Sequence, residues 1–203
     1  MKILCIGRNY AEHAKEMKAE TPTEPVFFMK PDTALLQNNA PFYYPKFSND
    51  VHHEVEVVLR VCKNGKNIQK QFASKYYDEV TVGIDFTARD LQAACKAKGL
   101  PWEKAKGFDS SGVVGTLKSR EDYKDMSNLS FKLDINGKTV QEGNTKDVLF
   151  SFDTIIEYVS QFVTLRIGDL IYTGTPVGVG AVKIGDRLEA YLENEKLLDF
   201  EVK

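Results

Sequence analysis

His52-His53-Glu54-Val55-Glu56-Val57-Val58-Leu59-Arg60-Val61 is the stretch whose reading decides the fold. Polar and apolar residues alternate through it, the two-residue period of a β-strand. Residues i and i+2 of a strand share a face, with Cα atoms roughly 6.5 Å apart. Glu54 and Glu56 therefore stand side by side, while Val55, Val57, Leu59 and Val61 face the other way into a core. Neighbouring carboxylates repel unless water or a cation lies between them. The alternation alone fits a solvated sheet face as well as a divalent-cation site.

Downstream, Asn64-Gly65 predicts a hairpin turn, and residues 72–77 a short helix. Val80 to Thr87 alternates again, with Val82, Ile84 and Phe86 on one face and Asp85 on the other. Thr87-Ala88-Arg89-Asp90 then reads as an N-cap with an acid three residues on. It predicts a helix to about Lys98, stopped by Gly99 and Pro101. Leu91, Ala94 and Cys95 form its apolar side, and Arg89 and Gln92 share another side near its start. An acid at a strand end, followed by polar groups on the next helix, is where sites are usually built.

Upstream, residues 2–6 read as a strand. Asn9 and Glu12 form a capping-box pattern, for a helix running to about Lys18. His13 and Glu16, at i and i+3, can touch. They fit a surface pair, or an imidazole made more basic by a carboxylate and suited to deprotonating water. This short helix, between Gly7 and two prolines, can move as a lid. Val26-Phe27-Phe28-Met29 reads as a buried strand ending at Lys30, which is either a surface charge or an anion contact. Lys106, before Gly107, is either surface decoration or a cation aimed into a cleft.

The remaining chain is punctuated clearly. Asn136-Gly137 predicts a second hairpin. Phe152, Ile155, Ile156, Val159 and Phe162 form a helical core stripe over 152–162. Gly174-Thr175-Pro176-Val177-Gly178-Val179-Gly180 is glycine-rich without the Gly-Lys-Ser/Thr of a phosphate loop. It is a set of turns, or a cradle whose amides and Thr175 hydroxyl hold a carboxylate. Strands over about 187–193 and 197–202 close the chain. Strands dominate over few helices, which predicts a mixed α+β domain around antiparallel sheets.

Composition narrows the function. With 203 residues, 42% of them hydrophobic, the chain predicts one buried core and a single domain over 1–203. Its 27 basic and 29 acidic residues give a net charge of −2 and no basic excess for nucleic acid. The N-terminal apolar run is too short for a signal peptide or a membrane span. Cys5, Cys62 and Cys95 are sparse and odd in number, as expected in a reducing cytoplasm.

Seven motifs in order resemble the fumarylacetoacetate hydrolase family: Gly-Arg-Asn-Tyr-Ala-Glu-His at 7–13, His-His-Glu-Val-Glu at 52–56, Asp-Phe-Thr-Ala-Arg-Asp-Leu-Gln at 85–92, Lys-Gly-Phe-Asp at 106–109, Asn-Gly-Lys at 136–138, Gln-Glu-Gly-Asn-Thr at 141–145 and Thr-Gly-Thr-Pro-Val-Gly-Val-Gly at 173–180. Within it the chain is most similar to the compact acylpyruvate hydrolase and oxaloacetate decarboxylase branch. The resemblance implies a β-rich roll fold with a few short helices, a lid helix over residues 9–20 and a homodimer. It implies Mg²⁺ or Mn²⁺ on Glu54, Glu56 and Asp85. It also implies a lid dyad of His13 and Glu16, an active-site Lys106, and contacts to a 2-oxo acid from Lys30, Arg89, Gln92 and Thr175. Gly112 departs from the pattern, since relatives often carry Pro there.

These residues suit cleavage of a C–C bond beside a 2-oxo acid. Breaking the C3–C4 bond leaves a pyruvate enolate, which a Lewis-acidic cation and Lys106 can stabilise. An acylpyruvate needs water at C4 first, with His13 as general base; oxaloacetate loses CO₂ to the same enolate without water. Decarboxylation or isomerisation of dienoic dicarboxylates and oxaloacetate tautomerisation are the alternatives, with a non-catalytic Ca²⁺-binding β module further off.

Overall fold

The computed structural model describes residues 1–17 and 20–203. It is sheet-rich, with five short α-helices among the described residues. An eight-stranded, curled, mixed sheet runs in the order Val26–Lys30, Ile3–Gly7, Leu170–Tyr172, Val55–Val61, Tyr77–Asp85, Gly112–Val114 and Leu35–Leu36, with Lys118–Ser119 also paired to Tyr77–Asp85. Its strands are antiparallel except at Ile3–Gly7 with Leu170–Tyr172 and at Leu35–Leu36 with Gly112–Val114. Lys138–Asn144, Ser130–Ile135, Arg187–Leu192 and Glu195–Glu201 form a second, antiparallel sheet. Gly180–Ala181, Val51–His53 and Thr87–Ala88 form a small third one. No described helix is long and apolar enough to cross a membrane.

The deciding stretch is not one strand. It breaks at Glu54: Val51–His53 belongs to the small sheet and Val55–Val61 to the large one. The second part lies between neighbours on both edges and is buried on both faces. Val55, Val57, Leu59 and Val61 enter the main core. Val58, on the opposite face, packs with Ile3, Cys5, Leu170 and Tyr172 in a smaller one. This second core removes the solvated-face reading: Glu54 is 6% exposed and Glu56 1%.

Local signals held where the chain closes on itself. The Asn136-Gly137 turn has φ of 53° and 76° and joins paired strands, the backbone a tight hairpin needs. Phe152–Phe162 is a helix capped by Ser151, whose hydroxyl accepts from Thr154 N; its last stripe residue, Phe162, is exposed. Arg89–Lys98 ends on Gly99 in the left-handed conformation, as expected. Asn64-Gly65, in contrast, makes no hairpin. The chain continues through the helix Lys70–Ala73, and Gly65 bridges to Leu165 instead.

Both predicted capping boxes fail, because their first residues are used elsewhere. Thr87 is in a strand, and Ala88 precedes the helix without a side-chain cap. Asp90 instead accepts from Ser48 Oγ and Asn49 N. The helix after Asn9 is Ala11–Glu16; the lid's Lys18 and Ala19 lie outside the described residues. Fully buried Asn9 donates Nδ2 to Phe150 O and Thr173 O and accepts from Phe150 N. Gly174 makes room for it: at φ 105°, a Cβ there would lie 2.6 Å from Asn9 Cβ. Val26–Lys30 is an edge strand. Val26 and Met29 are exposed, while Lys30, at its end, is buried.

Asn9→Ala removes three hydrogen bonds, one buried and two part-buried, and leaves backbone groups unpaired, at about 1–3 kcal/mol for each buried group stranded. Urea denaturation is expected to show a loss of about 2–4 kcal/mol in unfolding free energy; a loss below about 0.5 kcal/mol would contradict this tether.

Candidate active site

The antiparallel register sets Val55 against Ile84 and Glu56 against Gly83. Asp85, at the end of Tyr77–Asp85, thus arrives beside Glu54, and its N–H donates to Glu54 O at 2.8 Å. One carboxylate oxygen each from Glu54, Glu56 and Asp85 lies within 4.8 Å of the others, and all three residues are buried.

Three cations hold this cluster together. Lys106, from the short helix Glu103–Lys106, bridges Glu54 Oε2 at 2.8 Å and Asp85 Oδ2 at 2.9 Å. Arg89 binds Glu54 Oε1 at 2.6 Å. Lys30 Nζ sits 2.8 Å from Asp85 Oδ1. Among the described residues, Glu56 has a single donor, Gly174 N at 2.6 Å. Burial would raise the Glu54 carboxyl, yet Lys106 and Arg89 outweigh it and hold it below the usual carboxylate range. Burial pushes Glu56 well up, helped by Asp85 and Glu54. Burial would lower the Lys106 ammonium, but Asp85 and Glu54 raise it instead.

The donor set fits a hard divalent cation: three carboxylates converge, and such ions favour oxygen ligands. Asp85 Oδ1 is the telling atom. It is buried and ion-paired with Lys30, yet among the described residues it receives no hydrogen bond of proper geometry. A buried carboxylate oxygen in that condition has bonding capacity to spare.

Around the acids, the remaining expected residues divide. His13, Arg89, Gln92, Lys106 and Thr175 line the same cleft. His13 Nδ1 faces Glu16 Oε2 at 3.0 Å, and Glu16 Oε1 accepts from Gly178 N at 3.0 Å. Glu16 thus orients the imidazole and ties the helix Ala11–Glu16 to the glycine-rich loop. With Nδ1–H given to Glu16, Nε2 is left to take a proton. Arg89 donates NH1 to Gln92 Oε1 at 2.8 Å, and its buried Nε has no partner among the described residues. Lys30 does not reach the cleft lining. Its ammonium is held by Asp85, Ser111 Oγ, Phe86 O and Lys106 O, as a buried counter-charge to the acids. Gly112 leaves it room: a Cβ there would come within 3.3 Å of Lys30 Cδ.

Gln141 had no role assigned by the sequence reading. Its partners lie far away along the chain, so no spacing pattern signals it. Its Oε1 accepts from Val55 N at 3.0 Å, and its Nε2 donates to Pro176 O at 3.0 Å. An amide N–H only donates and a carbonyl only accepts, so this orientation is fixed. Nε2 also donates to Thr175 Oγ1 at 3.0 Å, which leaves the Thr175 proton free for a ligand.

The cleft at the acids is narrow, about 40 Å³, near the space of one water molecule or ion. The larger hollow of about 790 Å³, beside Arg120, Tyr123 and Asp153, lies away from the acids and lacks their convergence. Size alone would have chosen the wrong place.

Residues 2–202 match the family model of the fumarylacetoacetate hydrolase C-terminal domain. A mitochondrial oxaloacetate tautomerase of Mus musculus is 43% identical over 99% of this chain and 91% of its own. A mitochondrial oxaloacetate decarboxylase of Dictyostelium discoideum is 43% identical over 91% of this chain and 85% of its own. The crystal structure of a fumarylpyruvate hydrolase from Pseudomonas aeruginosa, in complex with Mn²⁺ and pyruvate, superposes with a TM-score of 0.94 at 34% identity, covering 100% of this chain and 89% of that one. With family motifs, fold and acid cluster in agreement, the chain belongs to the fumarylacetoacetate hydrolase family of enzymes.

Proposed function

We propose that the protein is a Mg²⁺- or Mn²⁺-dependent enzyme that cleaves acylpyruvates to pyruvate and a carboxylic acid, and that the same site also acts on oxaloacetate. The observation that carries this is the buried triad of Glu54, Glu56 and Asp85 under a paired His13 and Glu16. Glu54, Glu56 and Asp85 would hold the ion, whose chemistry is to polarise a 2-oxo carbonyl and offset enolate charge.

The chain's own groups supply the rest. The unpartnered Arg89 N–H and the free Thr175 proton are suited to a substrate carboxylate. Lys106, freed from one carboxylate, places an ammonium beside the charge that develops when the C3–C4 bond breaks. His13 Nε2 takes a proton from water attacking the C4 carbonyl, and Glu16 stabilises the imidazolium. Decarboxylation of oxaloacetate has no use for that water.

Oxaloacetate tautomerisation is the second reading, favoured by the 43% identity to a tautomerase. There His13 would move a proton at C3 instead of activating water.

His13→Ala is expected to lower pyruvate release from acetylpyruvate by about 10²–10⁴-fold and oxaloacetate decarboxylation by less than about tenfold. Equal losses would remove His13 as the water base, and loss of tautomerisation alone would favour the second reading. Glu56→Gln, nearly isosteric, is expected to abolish Mg²⁺ binding by calorimetry and to lower turnover by at least about 10³-fold. Wild-type enzyme treated with a chelator should lose activity and regain it with Mg²⁺ or Mn²⁺; full activity in chelator would end the metal-dependent reading.

A further inference from the structure

The glycine-rich loop is seated on one buried amide. Gln141, from the strand Lys138–Asn144, is 1% exposed. Its Oε1 accepts from Val55 N at 3.0 Å and lies 2.8 Å from His53 Nδ1. Its Nε2 donates to Thr175 Oγ1 and to Pro176 O, each at 3.0 Å. Every hydrogen-bonding position of the amide is thus taken. Two glycines let the loop and this strand approach. A Cβ at Gly178, where φ is 102°, would lie 2.6 Å from Val140 O and 3.3 Å from Gln141 Cγ, and one at Gly143 would lie 3.0 Å from Pro176 Cγ. His53 covers the far end of the loop: it pairs with Gly180, where a Cβ would come within 3.3 Å of its Nε2.

The direction of each proton follows from these partners. The Val55 N–H only donates and Pro176 O only accepts, so Gln141 turns its Oε1 to His53 and an N–H to Thr175. His53 Nδ1 therefore carries a proton. The Thr175 hydroxyl already receives an N–H and cannot give its own proton back to Gln141. Thr175 is 3% exposed and lines the cleft at the acids. Among the described residues its hydroxyl has no other hydrogen-bond partner. A hydroxyl free to rotate can give or take a hydrogen bond, but this one is set to give. The Arg89 guanidinium on the same cleft also only gives. A carboxylate accepts from both. A carboxamide turns N–H groups toward one of them whichever way it lies, and two facing donors leave a buried polar group unpaired.

We propose that Gln141 is a positioning residue that determines specificity: it fixes the Thr175 hydroxyl as a donor, so that the cleft takes a 2-oxo carboxylate and rejects the matching carboxamide. His53 locks Gln141 by donating to its Oε1. This rests on Thr175 meeting the substrate carboxylate, as proposed above.

The test compares pyruvate with pyruvamide by titration calorimetry in Mg²⁺, above neutral pH. Wild-type protein is expected to bind pyruvate at least about tenfold more tightly. Gln141→Glu, nearly isosteric, offers Thr175 an acceptor, so the hydroxyl turns its proton away from the ligand. It should cut the preference for pyruvate at least about fivefold. The added charge also disfavours an anion, so the same substitution is made in Thr175→Val, where the cut should be about twofold or less. Equal cuts in the two backgrounds, an unchanged preference in Gln141→Glu, or no preference or no pyruvate binding in the wild type would overturn the role. Neutron diffraction from wild-type crystals with Mg²⁺ and pyruvate reads the same protons without any variant. A deuterium on Thr175 Oγ1 aimed at the pyruvate carboxylate, and one on His53 Nδ1, are expected; a Thr175 deuterium aimed at Gln141 overturns the assignment. Neither measurement needs turnover. If both come out as expected while acetylpyruvate and oxaloacetate stay intact, the proposed reaction fails and the role of Gln141 stands.

Discussion

Three carboxylates whose oxygens lie within 4.8 Å of one another cannot all be buried and ionised without help. At an effective dielectric of about 20, each pair at that spacing repels by roughly 3–4 kcal/mol. Three pairs sum to about 10 kcal/mol, comparable with the whole stability of a typical domain. The structure meets this with Lys30, Lys106 and Arg89, set at distances from 2.6 to 2.9 Å from Glu54 and Asp85. Glu56 is left with one backbone donor and the most strongly raised carboxyl. A divalent ion would relieve all three acids at once, which the fixed ammonium groups do only for two.

The fold positions this cluster by confining it. The central strand carries Glu56 and is covered on both faces, so neither face can flood with water. Asn9 and Gln141 then fix the rim. Asn9 ties the approach to the helix Ala11–Glu16 to Phe150 and Thr173. Gln141 ties the carboxylate strand to the Thr175 loop. Glu16 closes the ring by holding both His13 and Gly178 N. The helix Ala11–Glu16 is thereby linked to the glycine-rich loop through the same carboxylate that orients the imidazole.

Much of this was legible in the residues. Alternation put Glu56 and Asp85 on strands, and turn chemistry placed Asn136-Gly137 and Gly99 where they are found. What alternation could not show is burial on the second face of Val55–Val61. That depends on Ile3, Leu170 and Tyr172 arriving from distant parts of the chain. For the same reason Asn9 and Thr87 read as caps: each is a good local cap, but tertiary partners claim them. Lys30 is no surface charge, although strand ends usually lie at the surface, because this one is buried and meets Asp85.

The account turns on whether those acids jointly grip one ion. Anomalous diffraction from crystals grown with Mn²⁺ tests it most directly. It predicts a single strong peak in contact with one oxygen each of Glu54, Glu56 and Asp85, and Lys106 withdrawn from at least one of its two carboxylates. A peak elsewhere, or none, with Lys106 still bridging Glu54 and Asp85, would contradict it.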